Sequence, residues 1–431
     1  MGNHIFIFEF VSGGGFSRAE IPISLFCEGF GMLRSIIFDF KSLGFEISTL
    51  LDHRISHLSK FLPYDHMKII NSHETHLKKY KEFVRDTKYS FIIAPETSKI
   101  LYDLTQIVKN YDKICLSSNL EGIKIGTSKL DSYKFLRYNK ISTPKTFLIP
   151  LKRKTMDKDF IIQKFKSLQR PVLIKPEDGV GAESIFYFES IEQIEQFFQD
   201  HEQKIEGERR FILQEYIEGK DLSASIIVPS TKSPILLCNN SQNVRIKTPP
   251  LKSEYLGGYS PFENYEEIKK HFLHSLEKIN FTKFRGYFGL DFILTNDSEF
   301  NFIEINPRLT TSYIGLRNII NQNPAQIIVD SFFNRWQPGE ISYNGFSLFL
   351  RIDMIYQGPL MNIEFNSQEE LVSKIPEIIT PPISLDDSNI YSCFIATTTK
   401  DLSSSHRRVE EIIQILETFN FKIVIRRLVE L

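Results

Sequence analysis

Two carboxylates and an amide stand close together in GYFGLDFILTNDSEFNFIEINPR, residues 286 to 308. Asp291 lies in one apolar run, Glu304 and Asn306 lie in the next, and the TNDSE between them is a turn signal. A turn centred near Asp297 pairs the two runs antiparallel and brings Asp291 within about one residue of Glu304 across the ladder. Directly opposed side chains share a face, as do residues two apart on one strand, so Asp291, Glu304 and Asn306 converge. Opposed carboxylates repel unless a cation sits between them, and on that basis loss of either acid relieves the repulsion and leaves the fold intact. Two anionic oxygens and an amide oxygen suit Mg²⁺, with Mn²⁺ as a substitute. A solvated surface hairpin is the alternative.

Further chemistry lies upstream. RPVLIKPEDGVGAESIFYF, residues 170 to 188, is a strand ending in Lys175, a turn with Gly179 and Gly181, and a second strand. The glycines let backbone N–H groups approach an anion, and Lys175 adds a point charge beside them. Turns also use glycine for steric reasons alone. In RRFILQEYIEGKDLSASIIV, residues 209 to 228, an apolar strand runs into Gln214, Glu215, Tyr216 and Ile217, with Asp221 four residues further on. Such a linker can offer backbone groups to a purine edge and an acid to ribose hydroxyls; a plain strand, turn and strand would read the same. Residues 236 to 262 read as a strand entering a polar loop with Gln242, Asn243, Arg245 and Lys247, then Tyr255 and Tyr259. Arg245 and Lys247 suit a substrate carboxylate, and the tyrosines an aromatic pocket.

At 431 residues the chain is too long for one typical core, and two or three units are expected. Its 52 basic and 53 acidic residues give no overall field for nucleic acid or a membrane. Cys27, Cys115, Cys238 and Cys393 are too scattered for a disulfide framework or a zinc motif. The start, MGNHIFIFEF, has neither a basic leader nor the spacing of a myristoylation signal, and a cytoplasmic protein is expected. Five of the ten histidines fall between His53 and His76; with no accompanying Cys or carboxylate pattern they read as surface or helix-face side chains.

The elements that must position these groups follow from periodicity. Solid apolar runs, IFIFEFV at 5 to 11 among them, alternate with helical segments over residues 1 to 118 and predict a small parallel sheet covered on both faces. A mixed unit with strand pairs follows over 119 to 336, and residues 337 to 431 predict an appended α+β piece.

Taken in order, Lys129 in GTSKLDSYKFL, the Lys175 and glycine loop, QEYIEGKD, GLDF and FIEINPR resemble the ATP-grasp family over residues 119 to 320. The resemblance implies two α+β grasp lobes behind a Rossmann-like domain. It also implies ATP and Mg²⁺ as cofactors, and small-molecule carboxylate and amine substrates joined through an acyl phosphate. By it, Lys129, Lys175, Gly179 and Gly181 meet the nucleotide phosphates, Gln214, Glu215 and Ile217 the adenine, and Asp221 the ribose. Asp291, Glu304 and Asn306 hold the metal, and Arg308 faces the transferred phosphate. FEFVSGGG, YLGGYSP and FIEINPRLTTSYIGLR are similar to the branch that contains tyramine–glutamate ligase of methanofuran biosynthesis. Gln242, Arg245, Lys247 and Tyr255 become the substrate candidates, and a homodimer through the first domain is in keeping with such folds. A kinase that stops at phosphotransfer is the alternative within the family.

Overall fold

The computed structural model describes the chain except for residues 1–2, 153, 180–184, 202–208, 231–232, 250–252, 263–264, 338, 340, 359–364, 386–388 and 425–431. The first unit runs His4–Glu9 (β1), Ile23–Ser42 (α1), Glu46–Asp52 (β2), His66–Ile70 (β3), His76–Asp86 (α2), Tyr89–Ile93 (β4), Ile100–Asn110 (α3) and Ile114–Cys115 (β5). Its strands lie in the order β3-β2-β1-β4-β5, all parallel. Ile5, Phe6, Ile7 and Phe8 are fully buried, which is why this run shows no alternation. Phe26, Phe30, Leu33, Ile37 and Phe40 give α1 a buried stripe at helical spacing, and Gly44, with φ 77°, lets the chain turn away behind it.

The first strand stops at Glu9, two residues short of the predicted end. The Glu9 carboxylate accepts the N–H groups of Val11 and Ser12 at 3.0 and 2.7 Å, which folds the chain into a tight glycine turn instead of a continued ladder. Sheet order reverses between β1 and β4, and the crevice outside their carboxyl ends is therefore the topological switch point.

Leu120–Gly126 (α4) and Lys129–Tyr138 (α5) lead into the first lobe. It comprises Thr146–Leu148 (β6), the short pair Leu151–Lys152 (β7) and Thr155–Met156 (β8), Lys158–Leu168 (α6), Val172–Pro176 (β9), Phe186–Phe188 (β10), Ile191–His201 (α7) and Phe211–Glu215 (β11). Its main sheet, β10-β9-β11-β6, is antiparallel and packs on its own core, with Ile161, Val172, Ile174, Phe188 and Leu213 at the centre.

The second lobe is one nine-stranded sheet. Lys220–Val228 (β12), Ile235–Arg245 (β13), Glu254–Ser260 (β14), Tyr265–Glu277 (α8), Gly286–Leu294 (β15), Phe300–Asn306 (β16), Ser312–Ile319 (α9) and Pro324–Phe332 (α10) come first. Ser347–Tyr356 (β17), Phe365–Lys374 (α11), Ile378–Ile383 (β18), Ile390–Ala396 (β19), Leu402–Thr418 (α12) and Phe421–Ile423 (β20) complete it. The order is β16-β15-β12-β13-β14-β17-β19-β18, with β20 also on β17. The strands after residue 337 thus continue the sheet of the second lobe, joined where Gly257, with φ 125°, lets β14 approach Phe349 more closely than any Cβ would allow.

Helix α1 ties the first unit to this sheet. Asp39 accepts from Arg317 at 2.6 Å and from the Tyr313 hydroxyl at 2.6 Å, while Arg34 donates to the carbonyls of Ile378 and Ile379. Phe30 and Ile5 share a core with Tyr313, Ile327, Phe349 and Phe394. Among the described residues no helix is long and apolar enough to cross a membrane.

Candidate active site

The hairpin of β15 and β16 places Asp291 directly opposite Glu304. Asn306 donates its amide to Asp291 Oδ2 at 2.8 Å, and Gln242, from β13, donates to Oδ1 at 3.0 Å. Glu304 Oε2 lies 2.9 Å from the Lys129 ammonium, and both side chains are mostly buried. Burial and then the charge of Glu304 raise Asp291 above the usual carboxylate range. Burial acts on Glu304 in the same sense but is outweighed by Lys129 and Lys175, so Glu304 titrates below its ordinary value. The repulsion expected from sequence is therefore half relieved by a lysine, and the two acids are not equivalent.

Lys175 ends β9 and is 3% exposed; burial lowers its pKa to about 8 against the pull of Glu304. Lys129 opens α5, whose first turn is capped by Ser128 and pinned to the end of β9 through Glu177. The Lys129 ammonium also donates to the Gly179 carbonyl at 2.9 Å, so in this state Gly179 offers it an oxygen. Asp178 accepts the Ser98 N–H at 3.1 Å, which brings the loop after β4 onto the glycine turn. Gly181 lies outside the described residues.

These groups border one cavity of about 230 Å³. At one end Gln214, Glu215, Tyr216 and Ile217 follow β11, with Leu173, Ile185 and Ile303 as apolar walls. The Gln214 side chain is itself buried, donating to Thr146 at 2.9 Å. Asp221, the second residue of β12, borders the same cavity, and burial, opposed by Lys175, raises its carboxyl to about 6.

At the other end the cavity reaches the switch point of the parallel sheet, bordered by Glu9, Val11, Ile93, Ala94 and Pro95, with Leu25, Glu28 and Met32 from α1. Arg308 borders the same cavity, its Nε 2.9 Å from Glu96 Oε1. Burial opposes its charge, yet Glu96 beside it keeps Arg308 firmly protonated. Glu28 accepts the Thr311 hydroxyl at 2.7 Å, and Tyr255, whose ionisation is suppressed by burial and by the charge of Glu28, borders the same space.

Two substrate candidates are not brought here. Gln242 and Arg245 are part of β13 and not of a loop; alternation along the strand turns Gln242 and Val244 to the cavity, and Ile246 just beyond it borders the same space. Arg245 and Lys247 do not border it, and Lys247 pairs with Glu254 at 2.8 Å. Tyr259 is a core residue stacked near Phe262. Conversely, Glu28 and Glu96 lie in no motif, and Glu9 lies in FEFVSGGG without a role read for it; the position of Glu96 just after an apolar parallel strand is the one signal for a cleft residue.

The donor set of Asp291, Glu304 and Asn306 is all oxygen, with both acids buried and facing each other, and it fits a hard divalent cation.

The chain is similar to known proteins in sequence and in fold. Residues 127–312 match the ATP-grasp domain and residues 45–123 the pre ATP-grasp 3 domain. The chain is 26% identical over 333 residues to tyramine–L-glutamate ligase of Methanocaldococcus jannaschii, covering 77% of this chain and 89% of that one. The same enzyme of Methanocaldococcus fervens is 28% identical over 231 residues, 53% of this chain and 61% of its own. An ATP-grasp superfamily protein of Archaeoglobus fulgidus superposes with TM-score 0.57 at 22% identity, over 83% of this chain and 95% of that one. A biotin carboxylase–β,γ-ATP complex from Campylobacter jejuni gives TM-score 0.67 at 12% identity, over 98% and 92%.

Proposed function

We propose that this chain, an ATP-dependent carbon–nitrogen ligase with the ATP-grasp fold, joins a small amino-acid carboxylate to an arylalkyl amine through an acyl phosphate. The carrying observation is the single cavity that holds Lys129, Lys175, Asp291, Glu304, Asn306 and Arg308 together and opens onto the switch point of the first unit. The nucleotide lies between the lobes, its base against Gln214 to Ile217 and its ribose hydroxyls on Asp221. The acid and amine enter from the switch point.

The substrate carboxylate attacks the γ-phosphorus and ADP leaves, giving an acyl phosphate. Lys175 and Arg308 neutralise charge on the transferring group, and Arg308 keeps its proton because Glu96 pairs with it. Mg²⁺ held by Asp291, Glu304 and Asn306 supplies further neutralisation of the phosphates. The Lys129 ammonium pairs with Glu304, and with Glu304 given over to a metal it would be free to meet a phosphate. The neutral amine nitrogen then attacks the acyl carbon, phosphate departs with the electron pair, and the nitrogen gives up a proton to the departing phosphate as the amide forms. Lobe closure keeps water from the acyl phosphate.

Leu25, Met32, Val11 and Ile93 give the outer chamber apolar walls suited to an aromatic ring, and Glu28 adds the negative charge that an ammonium group favours. Glutamate and tyramine fit that description and are the substrates in the relatives' name. The test is phosphate release with glutamate alone, tyramine alone and both, with the product weighed by mass spectrometry. Release that needs both and a mass equal to their amide supports the reading; release with one alone, or with neither, overturns it.

A further inference from the structure

At the opposite end of the parallel sheet the first residues of three neighbouring strands meet. His4 opens β1, Glu46 opens β2 and His66 opens β3. His4 pairs with Glu46 in the ladder, and His66 pairs with Ser48, two residues beyond Glu46. Paired residues in a parallel ladder, and residues two apart on a strand, share a face, so all four side chains stand on one side of the sheet. One ligand atom each from His4, Glu46 and His66 lies within 4.8 Å of the others.

We infer that His4, Glu46 and His66 form a site for a divalent transition metal of the zinc class, clipping together the amino-terminal edge of the three strands. The two imidazoles and one carboxylate suit Zn²⁺ and not the all-oxygen preference of Mg²⁺. Nitrogen and oxygen ligands at about 2.0–2.1 Å in a tetrahedron stand about 3.3 Å apart. The separations here bracket that value: Glu46 Oε1 to His66 Nε2 is 2.7 Å, and Glu46 Oε2 to His4 Nδ1 is 4.0 Å. Small side-chain rotations bring all three to one ion.

His4 is also oriented as metal-binding histidines are. Its Nε2 lies 2.8 Å from the hydroxyl of Ser48, which is fully buried. With the proton on Nε2 donated to that hydroxyl, Nδ1 carries the lone pair and faces Glu46. Asp65 and Asp86 add negative potential around His4. His66 is half exposed, as expected for the histidines between His53 and His76, and faces partners that come from strands distant in sequence.

The site lies about 17 Å from the cleft, counted as five residues along β1 from His4 to Glu9. Its occupation is therefore separable from turnover, and the inference is independent of the substrate reading. The test uses the full chain, stripped with chelator and titrated calorimetrically with Zn²⁺ in excess Mg²⁺. One equivalent should bind, and the melting temperature should rise by about 3 °C when Zn²⁺ stands 100-fold above its Kd. Ser48→Ala should weaken binding about 10- to 100-fold by freeing the His4 ring, and His66→Gln or Glu46→Gln by more. Glu46 and His66 are half exposed, so these variants keep their fold, and all three should retain wild-type phosphate release. Equal Zn²⁺ affinity in wild type, His66→Gln and Glu46→Gln overturns the site, as does binding that disappears only when His53 and His73 are replaced.

Discussion

Replacing Asp221 by Asn should make the ligand-free protein more stable and the enzyme worse. Burial raises this carboxyl from an ordinary 3.8 to about 6, even with Lys175 nearby. Between those values the unfolded chain gives up its proton and the folded chain does not, so the wild type loses stability as pH rises through that window and the loss levels off above it. A rise of that size costs about 3 kcal/mol at pH 7. Asparagine does not titrate and escapes this cost. With an unfolding entropy of about 2.1 cal/mol/K per residue, a chain of 431 residues has about 0.9 kcal/mol/K, and the gain is about 3 °C in Tm. At pH 5 about half of it should remain, because only part of the window has been crossed. Lost ribose contacts should raise KM for ATP about 10- to 100-fold, the worth of a hydrogen bond to a charged group. Calorimetric melts of both proteins at pH 5 and pH 7 without nucleotide, beside initial rates at pH 7, read the two effects. A variant that melts no higher than wild type at pH 7, or whose advantage is as large at pH 5, would refute the assignment of Asp221 as a buried, strained acid of the cleft.

The two acids of the hairpin should behave differently. Asp291→Asn removes the carboxyl that burial already disfavours and should hold or raise Tm while phosphate release falls to background. Glu304→Ala strands Lys129 in a mostly buried position and should lower stability by about 3–5 kcal/mol, read by denaturant melts. Equal effects of the two on stability would contradict the asymmetry. Lys175→Ala should raise KM for ATP and lower kcat together, measured by steady-state rates; a change in KM alone would place the lysine away from the transferring phosphate. Asp39→Ala should cost about 3–5 kcal/mol by leaving Arg317 without its carboxylate, so a melt within about 1 °C of wild type would show that α1 is held by apolar packing alone.

Much of the site was legible because it is local. Alternation and one turn signal place Asp291 against Glu304, and the hairpin pairs them as read. Lys175 near a strand end, the run from Gln214 to Ile217 and Asp221 all border the cavity. Arg245 lies on β13 where a loop is expected, and parity along the strand, not composition, decides which side chains turn inward; Lys247 follows the strand and pairs with Glu254. The consequence expected for Glu304 also changes, since Lys129 comes to it from a helix 175 residues earlier in the chain, counted from 129 to 304.

The parallel first unit, the hairpin acids and the glycine-turn lysine were written into the order of the amino acids, because each depends on side-chain period and turn chemistry within one stretch of chain. Only folding in three dimensions brings Glu28 to the cleft and Glu96 onto Arg308, extends the second-lobe sheet with the last strands, and joins His4 to His66. Those meetings depend on strand order and on how α1 lies against the sheet. Both are set by how whole apolar faces are shared between distant elements, and no local pattern carries that information.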